Sequence, residues 1–334
     1  MRRRLSRCLQ PLELLALASV LVAIAAPESR YADGGAWNGP RTSDGQPDLQ
    51  GYWTNDTYTP LERPAALGDK EFYTPDEAAK FLQSRVERLN SQPATAIHYD
   101  DAIWQAENYG KVANLRTSII FEPSNGRLPP LTAAANERLS LQRAAQRGTD
   151  PSLDAKDRSL GERCISWGNV GPPMMPPTYN ANLQITQAPA LVVIRFEMMH
   201  DTRIVYLDGR GHPPPSVRWM AGHSIGHWES RTLVVDTTNF TDDTNFRGSP
   251  ASTRQDIFGT ARMHVVERFT RTSKDTLDYE FTVEDPDTWI APWSGAEPMR
   301  QVAGPIYEYA CHEGNYGLAN ILSAQRAAAP PKRN

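Results

Sequence analysis

His227-Trp-Glu-Ser-Arg-Thr-Leu-Val-Val-Asp-Thr-Thr-Asn-Phe240 is the stretch that decides the fold class. Its middle is β-branched and apolar, which suits a pleated, half-buried surface. Its end, Asp236-Thr-Thr-Asn239, turns polar where a strand would leave a sheet. The stretch therefore reads as a central strand of an antiparallel sheet, and the Ser-Ile-Gly that precedes His227 reads as a turn. Outward from it the side-chain period stays at two. Strands are expected at 183–187, 191–199, 203–207, 231–240, 263–270, 276–284 and 299–311, with turns such as Asp208-Gly209 and Thr272-Ser-Lys-Asp275 between them. That pattern predicts a mostly β protein, an antiparallel lipocalin-like barrel over residues 183–325 able to hold one small ligand.

Upstream, Leu49-Gln-Gly-Tyr-Trp-Thr54 and Arg116-Thr-Ser-Ile-Ile-Phe121 are short strand candidates within an N-terminal part, residues 26–182, that also contains two helices. Thr74-Pro75-Asp76-Glu77 opens the first helix with a Thr cap, a Pro in the first turn and a Glu at the capping-box position. The second helix runs from Thr132 to Arg147 and stops at Gly148. Residues 149–182, with Gly171-Pro-Pro-Met-Met-Pro-Pro177, read as a long irregular segment, which in a compact domain is tied down or functional. A short helix near 318–325 and a disordered tail at 326–334 close the chain.

The chain has 334 residues and a formal net charge of −4. Residues 1–25 hold four Arg and one Glu, so their removal leaves about −7 (−4 minus +3). A mildly acidic chain without basic runs gives no footprint for nucleic acid. Arg2-Arg3-Arg4 and Arg7, the apolar run 14–26 and the small residues Ala23-Ile-Ala25 predict a cleaved signal peptide over 1–25 and a secreted or periplasmic product. No other run is long enough to span a membrane. Cleavage leaves Cys164 and Cys311, an even pair that in an oxidising compartment favours a disulfide. Two buried thiols, or a reactive Cys311 beside His312, are the other readings.

No phosphate-binding loop, dinucleotide fingerprint, Gly-x-Ser-x-Gly elbow or His-Glu-x-x-His is present. Chemistry has to come from ionisable groups on apolar strand faces. His200 continues the face of Val192, Ile194 and Phe196; Glu267 shares a face with Val265 and Phe269; Glu308 and His312 share one with Ile306. Burial drives a carboxyl up and an imidazole down, toward the range useful in general acid–base work. Asp236 is placed to orient a histidine, or to satisfy a turn. Arg116, Arg218 and Arg247 are candidates for holding a substrate anion. Trp219 and Tyr309 are candidates for contacting an apolar or ring-containing ligand. Five histidines fall from His200 to His264, but no spacing among them is a recognised metal-ligand set, so no metal and no cofactor is expected.

Four strings carry a resemblance: Pro47-Asp-Leu-Gln-Gly-Tyr-Trp-Thr54, Leu233-Val-Val-Asp-Thr-Thr-Asn-Phe240, Val266-Glu-Arg-Phe-Thr-Arg271 and Tyr309-Ala-Cys-His-Glu-Gly-Asn-Tyr316. Together they resemble a large uncharacterised family of secreted bacterial proteins. The resemblance covers nearly the whole mature chain and implies export and one architecture; it carries no activity and no functional residues. The residues themselves lead to an expectation of an exported enzyme. It would act by acid–base catalysis on a small, largely apolar organic substrate, as a lyase, isomerase or hydrolase. The alternative is a lipocalin-like carrier of a small hydrophobic ligand.

Overall fold

The computed structural model describes residues 38–91, 113–148, 154–155, 158–167, 170–177, 180–242 and 259–328. The expected signal peptide and Arg247 lie outside the described residues, as does the tail from residue 329.

Ten strands form one sheet: β1 (Gly51–Thr54), β2 (Ile120–Glu122), β3 (Asn182–Ala188), β4 (Leu191–Phe196), β5 (Thr202–Tyr206), β6 (His223–Glu229), β7 (Thr232–Thr238), β8 (His264–Arg271), β9 (Thr276–Glu284) and β10 (Trp293–Gln301). The first strand pairs with both β3 and β10, so β1 and β3 to β10 close into a nine-stranded barrel. β2 adds to β10 alone, at Ser294 and Gly295. Every pairing is antiparallel but one. β5 and β6 run parallel, with Val205 opposite Ser224, which requires a crossover connection in place of a hairpin. An up-and-down eight-stranded barrel has no such pair.

The opening stretch is a hairpin rather than one strand. Ser230, at φ +55°, turns β6 into β7, and His227 faces Val234 across it. The segment from His223 to His227, expected as a turn, is the first half of β6. Gly226 misled that expectation, and its role is steric. A β-carbon there would sit 2.9 Å from Val205 Cγ1 and 3.0 Å from the Val234 carbonyl oxygen, so the close approach of neighbouring strands excludes any side chain. Two strand ends also fall short of expectation. β4 stops at Phe196, and Met199 and His200 take left-handed backbone in the turn that follows. β10 ends at Gln301, so residues 302–315 are loop, with Gly304 at φ +93°.

Alternation sorts the side chains. Ile185, Val192, Ile194, Val205, Leu233, Val235, Val265, Phe269, Tyr279, Phe281 and Met299 point inward and form one contiguous apolar cluster. Phe269 is fully buried against the Tyr279 ring, 5.1 Å between centroids. Truncation to alanine there costs about 3–5 kcal/mol. The irregular segment enters the same cluster through Met174 and Met175, both fully buried. Its Met174 N–H donates to Tyr279 Oη at 2.8 Å. The Tyr279 hydroxyl donates in turn to Glu267 Oε1 at 2.8 Å, and Glu267 takes both terminal nitrogens of Arg203, Nη1 at 3.0 Å. Glu267 is fully buried and Arg203 is 5% exposed, so each charge is tolerable only because the other is there.

Three helices accompany the barrel among the described residues: α1 (Pro75–Asn90), α2 (Ala133–Gly148) and α3 (Tyr316–Ala328). The capping box predicted for α1 is formed, with Thr74 Oγ1 accepting from Glu77 N–H and Glu77 accepting from Thr74 N–H. A disulfide joins Cys164 to Cys311 across 147 residues, 5.8 Å between α-carbons. It ties the irregular segment to the loop after β10.

A histidine–carboxylate relay on the outer wall

Val235 and Thr237 point into the barrel and are fully buried, so Asp236 between them faces outward. The neighbouring strands present histidines on that same face: His264 at the start of β8 and His223 at the start of β6. The fourth member, His212, comes from the crossover. Residues 207–222 leave β5, cross the outer wall and return as β6. Asn239 holds this loop in place. Its side-chain amide donates to the carbonyls of Pro213 at 3.1 Å, Pro214 at 3.2 Å and Val217 at 2.9 Å. The Trp219 N–H donates to the Asn239 carbonyl at 2.9 Å. Asn239 reaches these groups from a left-handed backbone (φ +61°), a conformation asparagine tolerates better than most residues. The polar end of the organising stretch thus divides its work: Asn239 fixes the loop, and Asp236 receives what the loop carries.

Asp236 Oδ1 lies 3.0 Å from His212 Nε2, and Oδ2 lies 2.9 Å from His264 Nε2. On the far side of the His212 ring, Nδ1 is 3.0 Å from His223 Nδ1. These contacts set the protons. An ionised carboxylate only accepts, so His212 donates through Nε2–H. A neutral His212 then offers Nδ1 as an acceptor, and His223 donates to it through Nδ1–H. His223 is left with the lone pair of Nε2 directed away from the relay.

The electrostatics agree with this order. Burial works against the Asp236 anion, but the hydrogen-bonding imidazoles of His264 and His212 outweigh it and hold the carboxyl below its ordinary range. The hydrogen bond to Asp236 lifts His264 above the usual imidazole value, against the pull of burial. Burial first, and then the neighbouring His212 and Arg210, lowers His223. At neutral pH the arrangement is an anion flanked by a readily protonated His264 on one side and a neutral, outward-facing base on the other.

Aromatic rings bracket that base. Tyr206 stacks on His223 at 5.5 Å and 20°, and Trp219 leans against it at 5.6 Å and 35°. The Arg210 guanidinium caps the outer face of Tyr206 at 3.9 Å.

Of the residues singled out in the sequence, Asp236 and Trp219 lie in this site. Arg218 borders it; its Nε donates to the Pro215 carbonyl at 2.8 Å. The others lie elsewhere. His200 Nε2 accepts the Tyr309 N–H at 2.5 Å, so these two meet each other. Glu267 is inside the barrel with Arg203. Glu308 and His312 are exposed in the loop after β10, where the strand parity that singled them out does not apply. Arg116 is buried in the N-terminal part, bound to Glu71 at 2.9 Å and lying over Phe72 and Phe121. His212, His223 and His264 were visible only as members of a histidine-rich stretch. Among the described residues no group of three or more His, Cys, Asp or Glu side chains has the geometry to hold a metal ion. His212 shows the reason, since its two nitrogens face opposite partners.

Fold and site define a closed, mostly antiparallel β-barrel with a three-histidine, one-carboxylate relay on its outer wall. No protein-family model, no curated protein and no solved structure matches the chain. No described helix is long and apolar enough to cross a membrane.

Proposed function

We propose that this protein is an exported enzyme that removes a proton from a small, largely apolar organic substrate, with His223 as the general base. The observation that carries the reading is the chain Asp236–His212–His223, linked by contacts of 3.0 Å and 3.0 Å and ending on an imidazole nitrogen with no partner inside the relay. When His223 takes a proton at Nε2, its Nδ1–H is shared with His212 and the charge is drawn toward Asp236. Hydrogen-bonded carboxylates serve bases in this way in general. The Tyr206 and Trp219 ring faces favour the imidazolium that forms. His264, whose hold on a proton is strengthened by Asp236, favours the ionised carboxylate and can return a proton. Such a step belongs to lyase, isomerase or hydrolase chemistry and needs no cofactor. Export rests on the arginine-rich, apolar N-terminus together with the Cys164–Cys311 disulfide.

The lipocalin-like alternative, carriage of a hydrophobic ligand inside the barrel, requires Met174 and Met175 to vacate the interior they fill. The outer relay would then have no task.

The test is ring opening of 5-nitrobenzisoxazole, which needs only a base. The C–H proton goes to His223 Nε2, its electron pair forms the nitrile, and the N–O bond breaks to release a phenolate. The expected result is a rate well above that of free imidazole at equal concentration, lost in His223→Ala. Its midpoint in pH should lie below the ordinary imidazole value. A rate no higher than free imidazole's, or one untouched by His223→Ala, sinks the proposal.

A further inference from the structure

Arg210, Tyr206, His223 and Trp219 form one continuous stack, with a cation at one end and the base inside it. The other end is open: Trp219 is 43% exposed. Its backbone is nevertheless pinned on both sides. The Trp219 N–H is bound to the Asn239 carbonyl, and the Trp219 carbonyl accepts from Gly222 N–H at 3.2 Å and Thr241 N–H at 3.0 Å. Two further large apolar side chains are open nearby in the chain. Val217, two residues before Trp219, is 44% exposed, and Ile204, which shares the outer face of β5 with Tyr206, is 42% exposed. An indole on a pinned backbone, left open beside a base, marks a binding surface more than a folding necessity.

Resting on the reading of His223 as the base, we infer that the substrate is a flat, unsaturated molecule, an aryl compound, whose ring extends the stack on the open face of Trp219. The indole stands between that ring and His223, so the stacked ring is the anchor and the carbon that loses its proton lies on a substituent reaching past the edge of the indole. Ring-on-ring contact discriminates by shape and polarisation as well as by area. A saturated ring of the same size buries similar surface but cannot stack flat.

The experiment compares phenol with cyclohexanol on the disulfide-bonded protein. The indole N–H resonance of Trp219, identified by its loss in Trp219→Phe, is followed by NMR as each probe is added. Phenol is expected to shift it through its ring current, while cyclohexanol leaves it in place. Trp219→Ala should weaken phenol binding by about two- to tenfold, the range a stacked pair supplies. Equal shifts from both probes, or undiminished phenol binding in Trp219→Ala, overturn the inference. The two readings fail separately. Loss of base catalysis in His223→Ala tests His223 alone, while phenol's effect on the Trp219 signal does not depend on turnover.

Discussion

Removing Glu267 isolates the principal polar contact inside the barrel. The carboxylate accepts from both terminal nitrogens of Arg203 and from Tyr279 Oη, with no exposure to water. Burial first, and the Glu267 charge second, push the Tyr279 hydroxyl well above its ordinary value, so it remains a donor throughout the accessible pH range. Glu267→Ala leaves the Arg203 guanidinium, itself 5% exposed, without its counter-charge. Breaking a buried pair from one side costs about 3–5 kcal/mol. The Tyr279 hydroxyl also loses its acceptor, at about 1 kcal/mol or more. The expected loss is therefore about 4–6 kcal/mol, read as a drop in the urea midpoint of the disulfide-bonded protein at unchanged m-value. Replacing both partners, Arg203→Met with Glu267→Met, should recover most of that loss, because an apolar pair strands no charge. The folded fraction of Glu267→Ala should still open 5-nitrobenzisoxazole at the wild-type rate, since Glu267 lies inside the wall and the relay outside it. A stability change under 1 kcal/mol, or loss of ring opening in folded protein, refutes this division between scaffold and site.

Three other perturbations have definite signs. Asp236→Asn should slow ring opening by about a hundredfold or more and reshape stability against pH. The His264 contribution is complete below about 6.5 and disappears as pH rises through its raised native value; that of Asp236 is present above its ordinary value and disappears as pH falls through its lowered one. The urea-midpoint gap between wild type and variant should therefore be widest between these limits and close toward both extremes. Asp56 behaves oppositely: burial, beside Glu197, raises it from 3.8 to about 6. A raised carboxyl loses stability as pH climbs from the ordinary value to the native one, so Asp56→Asn should stabilise the protein above pH 6, by about 2–3 kcal/mol, with no gain below pH 4. Removing the Cys164–Cys311 bridge by double serine substitution reopens a loop of 147 residues. It should lower stability by up to about 5 kcal/mol while circular dichroism keeps its β signature.

Strand parity made much of the barrel legible, because inward positions alternate without interruption in Val192-x-Ile194-x-Phe196 and Val265-x-Glu267-x-Phe269. The same tool placed Glu267 inward, yet its partner Arg203 lies 64 residues away, a separation no local pattern records. Parity failed where a local signal imitated a turn. Gly226 looks like a break, but its missing side chain admits Val205 from the parallel neighbour, and a parallel pair cannot be foreseen from hairpin spacing. The relay was half legible. Asp236 stood out by its position beside polar residues at a strand end. His212 sits in a proline-rich loop without periodicity, and it reaches Asp236 only because the Asn239 amide gathers three loop carbonyls. The loop after β10 was mistaken for strand because Ile306, Glu308 and His312 share a parity by accident beyond Gly304-Pro305.

The central claim is that Asp236, His212 and His223 hold their protons in one order, leaving His223 Nε2 as the base. Long-range proton–nitrogen NMR of the histidine rings tests it most directly. At pH 7 the account predicts His212 with its proton on Nε2, and His223 neutral with its proton on Nδ1 and titrating below the ordinary imidazole value. In Asp236→Asn that fixed pattern should give way to mixed tautomers. A His223 carrying its proton on Nε2, or charged at pH 7, contradicts the account.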